Sequence, residues 1–254
     1  MLKSEFWLYL DLQKTGCTFL RDKLSRITEC TQLQGTKHSA PCAKDLSLPK
    51  ILTIRDPSTY YFSLWSYGLD RRGGVWKKAQ KHLSKRQINK IYGEKNATCF
   101  SNFLNFTLNP QPYLTNKIEV DLYTYRILRL LIPSKQNLAE TATKLRLKRN
   151  QKFFEREFKH YLPEILIPTE HMNLYFHKLA DSGKLDFLQL RPHWKKIFPL
   201  DSALKNSSKL SRNIDSDEKP NPFLPATLTS KIERKSQLAL WLHKKSINSI
   251  NNLN

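Results

Sequence analysis

Residues 6–23, FWLYLDLQKTGCTFLRDK, decide how this chain folds. The apolar run Phe6–Leu10 reads as a short buried strand, residues 13–18 as a turn, and the segment from about Phe19 onward as a helix. Strand, small-residue turn and helix start are how an α/β protein builds a seat for phosphate. The free N–H groups of the first helical turn point at the anion, and the helix dipole favours negative charge there. Gly16 lets the backbone approach closely, Thr15 and Thr18 offer hydroxyl donors, and Lys14 adds a full positive charge. The nucleotide-triphosphatase loop, Gly-x-x-x-x-Gly-Lys-Ser/Thr, does not fit, because here the lysine precedes the glycine and position 11 is Asp11. A Lys-Thr-Gly turn also occurs in ordinary surface loops, so this stretch alone leaves both readings open.

The same unit recurs further along. Lys50–Ile54 reads as a second buried strand that ends at Arg55-Asp56-Pro57, with Ser58 or Thr59 able to cap a helix over Tyr60–Leu69. Glu164–Pro168 reads as a third strand, followed by Thr169-Glu170-His171 and a helix over Met172–Ala180. Repetition of strand, polar turn and helix implies a parallel sheet whose carboxyl edge holds the ligand. The expected fold class is therefore α/β: a P-loop-like three-layer fold with a small central parallel sheet flanked by helices. Further helices are expected at about Val75–Tyr92, Cys99–Thr107, Asp121–Leu131, Asn137–Leu147 and Leu228–Ile250, with a long polar loop over Asp201–Pro225. A length of 254 residues suits one domain, 1–254, with a helical and basic C-terminal half.

Charge is the strongest bulk property. The chain carries 43 basic and 22 acidic residues, a net +21, which attracts polyanions, anionic glycans or phosphorylated cofactors. The basic residues are spread widely rather than gathered in one stripe, which weakens a nucleic-acid reading. Cys17, Cys30, Cys42 and Cys99 have neither Cys-x-x-Cys nor zinc-finger spacing, so no metal site is expected. No apolar stretch approaches the roughly 20 residues of a membrane span, and no signal peptide is seen, so a cytoplasmic protein with reduced thiols is expected. Cys17 reads as a small residue tolerated by the turn, or as a thiol activated by the helix start.

Two signatures together resemble a family. Lys14-Thr15-Gly16-Cys17-Thr18-Phe19 is similar to the 5′-phosphosulfate loop of sulfotransferases that use 3′-phosphoadenylyl sulfate (PAPS). Arg55 at a strand end, with Ser63 eight positions on, resembles the family's grip on the 3′-phosphate. The Arg-Asp-Pro wording is most like the carbohydrate sulfotransferases, heparan and chondroitin types and bacterial relatives among them. Ile167–Asn173 also resembles a later segment of bacterial members, and Gln13 departs from the proline many members carry. The clear match spans roughly residues 6–69.

The resemblance implies a sulfotransferase-type fold, PAPS as co-substrate, no metal, and an acceptor hydroxyl on an anionic or neutral glycan. Lys14, Thr15, Gly16, Cys17, Thr18, Phe19, Arg55 and Ser63 would hold PAPS, with Phe19 near the adenine and Lys14 stabilising the leaving phosphate. The family's general base is a His or Glu between the two signatures. Here that implies His38, in Gly35-Thr36-Lys37-His38-Ser39, ahead of Glu29; Lys37 can assist, and His171 and His193 are lesser candidates. The competing reading is a basic nucleic-acid-binding protein without catalytic activity, for which the spacing of Arg55 and Ser63 is accidental. A kinase is disfavoured by the missing triphosphatase loop.

Overall fold

The three segments read as strands lie side by side. The computed structural model describes residues 1–29, 37–38, 40–147, 150–201 and 223–251. Its sheet has the order β1 (Leu2–Lys3), β2 (Leu8–Leu10), β3 (Lys50–Ile54) and β4 (Ile165–Pro168). β2, β3 and β4 are parallel, with Tyr9 opposite Ile51 and Leu52 opposite Leu166. β1 was not expected. It pairs antiparallel to β2, Leu2 opposite Tyr9, so the sheet is mixed rather than wholly parallel. Two residues are too few to show the alternation by which a strand is read.

Every residue of β2, β3 and β4 is buried, as a sheet covered on both faces requires. The pleat sends alternate side chains into two separate cores. Leu8, Leu10, Leu52, Ile54 and Leu166 join one, and Trp7, Tyr9, Ile51, Ile165 and Ile167 join the other. Each fully buried Leu or Ile here contributes about 1.5–3 kcal/mol relative to exposure. The second core is closed by α1 (Cys17–Ile27), by the later helix Met172–Asp181 and by Trp194 and Phe198. The first and larger core takes α2 (Pro57–Leu69), α3 (Gly73–His82), α4 (Lys85–Tyr92), α5 (Ala97–Leu108), α6 (Pro112–Thr115), α7 (Leu122–Leu131), α8 (Lys135–Leu147) and α9 (Gln151–Phe158). The chain then runs through β4, α10 (Met172–Asp181), α11 (Trp194–Ile197), α12 (Ala226–Lys235) and α13 (Gln237–Asn251). Among the described residues no helix is long and apolar enough to cross a membrane.

Several helix boundaries differ from expectation for identifiable reasons. α1 begins at Cys17, two residues early, because Gly16 takes a left-handed φ of 71° as its N-cap. α2 is capped by Asp56, not Ser58 or Thr59: its carboxylate accepts from both their N–H groups at 2.9 and 3.0 Å, and Pro57 fills the first helical position. The expected helix over Val75–Tyr92 is two helices, because Ser84 and Gln87 form a capping box that starts α4 afresh. The expected final helix is likewise two, broken at Ser236. α9 was not expected, and Asn150 caps it at the Phe153 N–H. The expected polar loop falls mostly on residues 202–222, outside the described residues, as does Cys30.

One buried carboxylate ties these layers together. Asp121, 5% exposed, caps α7 by accepting from the N–H groups of Tyr123 and Thr124 at 3.1 and 3.0 Å. It also accepts from the hydroxyls of Tyr61 on α2, at 2.7 Å, and of Ser236 between the last two helices, at 3.0 Å. Asp121→Ala would remove a cap and strand buried donors. It is expected to lower unfolding free energy by roughly 2–4 kcal/mol in urea titration, against about 1 kcal/mol or less for Asp22→Ala on the exposed face of α1.

Candidate functional site

β2, β3 and β4 end at one edge of the sheet, and each hands over a part of one cleft of about 290 Å³. After β2 come Lys14, Gly16, Cys17, Thr18 and Phe19; after β3 come Arg55 and Ser63; after β4 comes Thr169. Lys37 and His38 close it from the intervening loop, Tyr67 from the end of α2 and Arg72 from the cap of α3. Lys14, Lys37, Arg55 and Arg72 line it, and no carboxylate is among the lining residues. A cleft walled by cations, hydroxyls and a helix start is built for an anion.

Lys14 and Gly16 both take left-handed backbone, with φ of 70° and 71°. For a lysine this costs roughly 1–2 kcal/mol, and it turns the ammonium inward. Its Nζ lies 4.0 Å from the centre of the Tyr67 ring, with the Arg72 guanidinium 4.7 Å from that centre. Burial first, and then the Arg55 charge, push the Lys14 ammonium down to about 8. The Lys37 ammonium donates to the Thr18 hydroxyl at 2.6 Å. Phe19 is half-buried, edge-on to Phe198 with ring centres 5.6 Å apart.

Arg55 is held by its own backbone. The buried Tyr123 hydroxyl accepts from the Arg55 N–H and donates to the Arg55 carbonyl, both at 3.0 Å. Its Nε donates to the Thr59 hydroxyl at 3.2 Å. Tyr123 stacks on Tyr60 with ring centres 3.5 Å apart. Glu170, after β4, accepts from the Asp56 N–H at 2.9 Å and faces His243 of α13 at 3.1 Å. Burial works against the Glu170 charge, but His243 and the Asp56 N–H outweigh it and hold the carboxyl below its usual range.

His38 is the most constrained group. Its backbone is left-handed, φ 59°, and its N–H donates to the Asp11 carboxylate at 2.7 Å. Its Nδ1 lies 2.8 Å from the Asp11 carbonyl oxygen, which can only accept. Nδ1 therefore carries the proton and Nε2 keeps a lone pair. Asp11 is fully buried and is also paired with Arg21 at 3.3 Å. The Arg129 guanidinium donates to the His38 carbonyl at 2.6 Å. Burial pulls the imidazole below its ordinary value, against the pull of Asp11, so the ring is neutral at neutral pH. Of its neighbours in the sequence motif, Gly35, Thr36 and Ser39 lie outside the described residues.

Most of the residues expected at the site thus meet in one cleft, but one expectation is corrected. Thr15 offers no hydroxyl to a ligand: it is fully buried and donates to the Leu12 carbonyl at 2.7 Å beside Thr53 at 2.8 Å. It braces the turn from beneath. Of the two readings of Cys17, burial, which raises its thiol, favours the small residue tolerated by the turn over the activated thiol. His171 and His193 do not line the cleft. The sequence reading missed Tyr67, Arg72, Thr169 and the Tyr123 and Glu170 supports. One signal was available: Thr59, Ser63 and Tyr67 recur every fourth residue and mark one face of α2.

No protein-family model matches the chain, and no curated protein matches it. As pH rises through about 8, Lys14 loses its charge and with it a charge-assisted bond to an anion. Calorimetric affinity for inorganic sulfate, whose own charge is constant over the range, should fall about tenfold from about pH 7 to about pH 9.5. Lys14→Arg, which stays charged, should flatten that fall.

Proposed function

We propose that this chain is a sulfotransferase that moves a sulfuryl group from PAPS to an acceptor hydroxyl on a carbohydrate. The observation that carries the reading is the convergence of two strand-to-helix junctions and one tautomer-locked histidine on a single carboxylate-free cleft. PAPS is an adenosine with a phosphosulfate at one end of its ribose and a phosphate at the other. It needs two anion seats on one edge, and adjacent parallel strands supply them. On this reading the turn Lys14–Thr18 receives the phosphosulfate, with the N–H groups at the start of α1 directed to it. Arg55 and Ser63 receive the 3′-phosphate, for which the planar guanidinium fork is suited. Phe19, half-buried at the mouth, offers a face to the adenine.

The reaction follows from the same groups. Nε2 of His38 takes the proton of the acceptor hydroxyl as its oxygen attacks sulfur. The bond between sulfur and the bridging oxygen breaks in line, and adenosine 3′,5′-bisphosphate departs. Negative charge builds on that leaving phosphate, where Lys14 stands. The Asp11 carbonyl and carboxylate fix the ring and stabilise the imidazolium that forms, which then releases its proton to solvent.

Calorimetry without magnesium tests the binding half. Adenosine 3′,5′-bisphosphate should bind, and Lys14→Ala and Arg55→Ala should each weaken it about 10- to 100-fold, the worth of one charged hydrogen bond. Retained affinity in both variants would falsify the placement of the two phosphates. Nucleic-acid binding with a steep salt slope and no bisphosphate binding would replace the reading altogether.

Labelled-sulfate transfer tests the chemical half. His38→Ala should slow turnover about 100- to 10,000-fold at unchanged bisphosphate affinity. The wild-type rate should fall on the acid side, below the ordinary imidazole range, where Nε2 gains its proton, and again on the alkaline side as Lys14 loses its charge through about 8. Unchanged turnover in His38→Ala would remove His38 from the mechanism.

A further inference from the structure

A second cleft, about 360 Å³, shares Gln13 and His38 with the first. It lies against α3 and α7. Its floor is apolar, formed by Val75, Leu114 and Leu122. Its rim carries three cations: Lys78 from α3, and Arg126 and Arg129 from α7.

These cations are not neutralised from within. Lys78 donates to the Tyr113 carbonyl at 2.6 Å, Arg126 to the Tyr60 hydroxyl at 2.7 Å, and Arg129 to the His38 carbonyl at 2.6 Å. All three acceptors are neutral, and no carboxylate among the described residues pairs with any of the three. Asp11 also lines the cleft, but its carboxylate is taken up by the His38 N–H and Arg21. The cations repel one another: burial, and then the charges of Arg126 and Arg129, push the Lys78 ammonium below its ordinary value. Like charges gathered on one rim are relieved by an anion. Beside them, Asn116 donates to the Tyr125 hydroxyl at 2.6 Å, so the wall also offers neutral polar groups suited to hydroxyls.

We infer that this second cleft receives the acceptor, and that the acceptor is itself an anion: a hydroxylated saccharide whose carboxylate or sulfate ester docks on Lys78 and Arg126 while the hydroxyl to be modified reaches Nε2 of His38. The identity of the reaction rests on the sulfotransferase reading; the charge of the acceptor rests on the cation set alone. Arg126 joins the two clefts, since its Tyr60 partner stacks on the Tyr123 that holds Arg55. Arg129 serves by holding the His38 carbonyl and is a positioning residue.

The test uses the full chain saturated with adenosine 3′,5′-bisphosphate. Three disaccharides are titrated by calorimetry: one of glucuronate and N-acetylglucosamine, the same with its carboxyl reduced to the alcohol, and the reduced form bearing one sulfate ester. At least one charged form should bind about tenfold or more tighter than the neutral one, and the tighter of the two identifies carboxylate or sulfate as the group recognised. Lys78→Glu should weaken the charged form about tenfold or more and leave bisphosphate affinity unchanged. Lys152→Glu, on the exposed face of α9, makes the same change in net charge away from the cleft and should stay within about twofold of wild type. Equal binding of charged and neutral forms, binding of none, or equal loss in Lys78→Glu and Lys152→Glu would overturn the inference. If the bisphosphate itself does not bind, the reaction assignment fails, and the same titrations run without nucleotide still decide the charge preference of this cleft.

Discussion

Parallel pairing of β2, β3 and β4 is the constraint on which the rest of this protein depends. With Leu10 opposite Leu52 and Ile54 opposite Pro168, the three strands run out of the sheet at one edge. Parallel strands cannot be joined by tight turns, so each must cross back over the sheet, and the first residues past each strand gather where the next helix begins. Asp11 follows β2, Arg55 follows β3 and Thr169 follows β4. An antiparallel neighbour would have carried Arg55 to the far edge, away from Lys14.

That edge is held by polar groups placed within apolar layers. Tyr123 grips the Arg55 backbone at both its N–H and its carbonyl, and Asp121 anchors Tyr61, α7 and Ser236. Such groups cost free energy when stranded and specify geometry when satisfied. They also link the anion cleft to its neighbour: Arg126 donates to Tyr60, Tyr60 stacks on Tyr123, and Tyr123 holds Arg55. A rigid aromatic block therefore sets the spacing between the Arg55 cleft and its cation-rimmed neighbour. His38 stands between them, lining both.

Electrostatics then divides the labour. Lys14 and His38 are both left-handed and both shifted downward, chiefly by burial. For Lys14 this means a charge that is costly alone and stabilised by an arriving anion. For His38 it means a neutral ring whose Nδ1 proton is pinned to Asp11 and whose Nε2 can accept another. Backbone strain at these two positions is borne by the surrounding packing and aims both groups at the shared space.

Much of this was determined by the sequence itself. Local apolar runs ending in polar turns marked the three parallel strands, and the residue types at 14–19 and 55–63 marked most of the lining of one cation-walled cleft, because strand burial and helix-start chemistry are local properties. The breaks at Ser84 and Ser236, the cap at Asp56 and the edge strand β1 were less legible, since caps compete over single residues and two-residue strands have no period. Tertiary structure alone decided that Thr15 faces inward, that Asp11 locks the tautomer of His38, and that Arg126 and Arg129 come to rim the same cleft as Lys78. These contacts join residues 27 to 91 positions apart, or turn one hydroxyl toward a buried neighbour on another strand. Such choices are made by whole-chain packing, whose many weak contacts no local pattern in the sequence encodes.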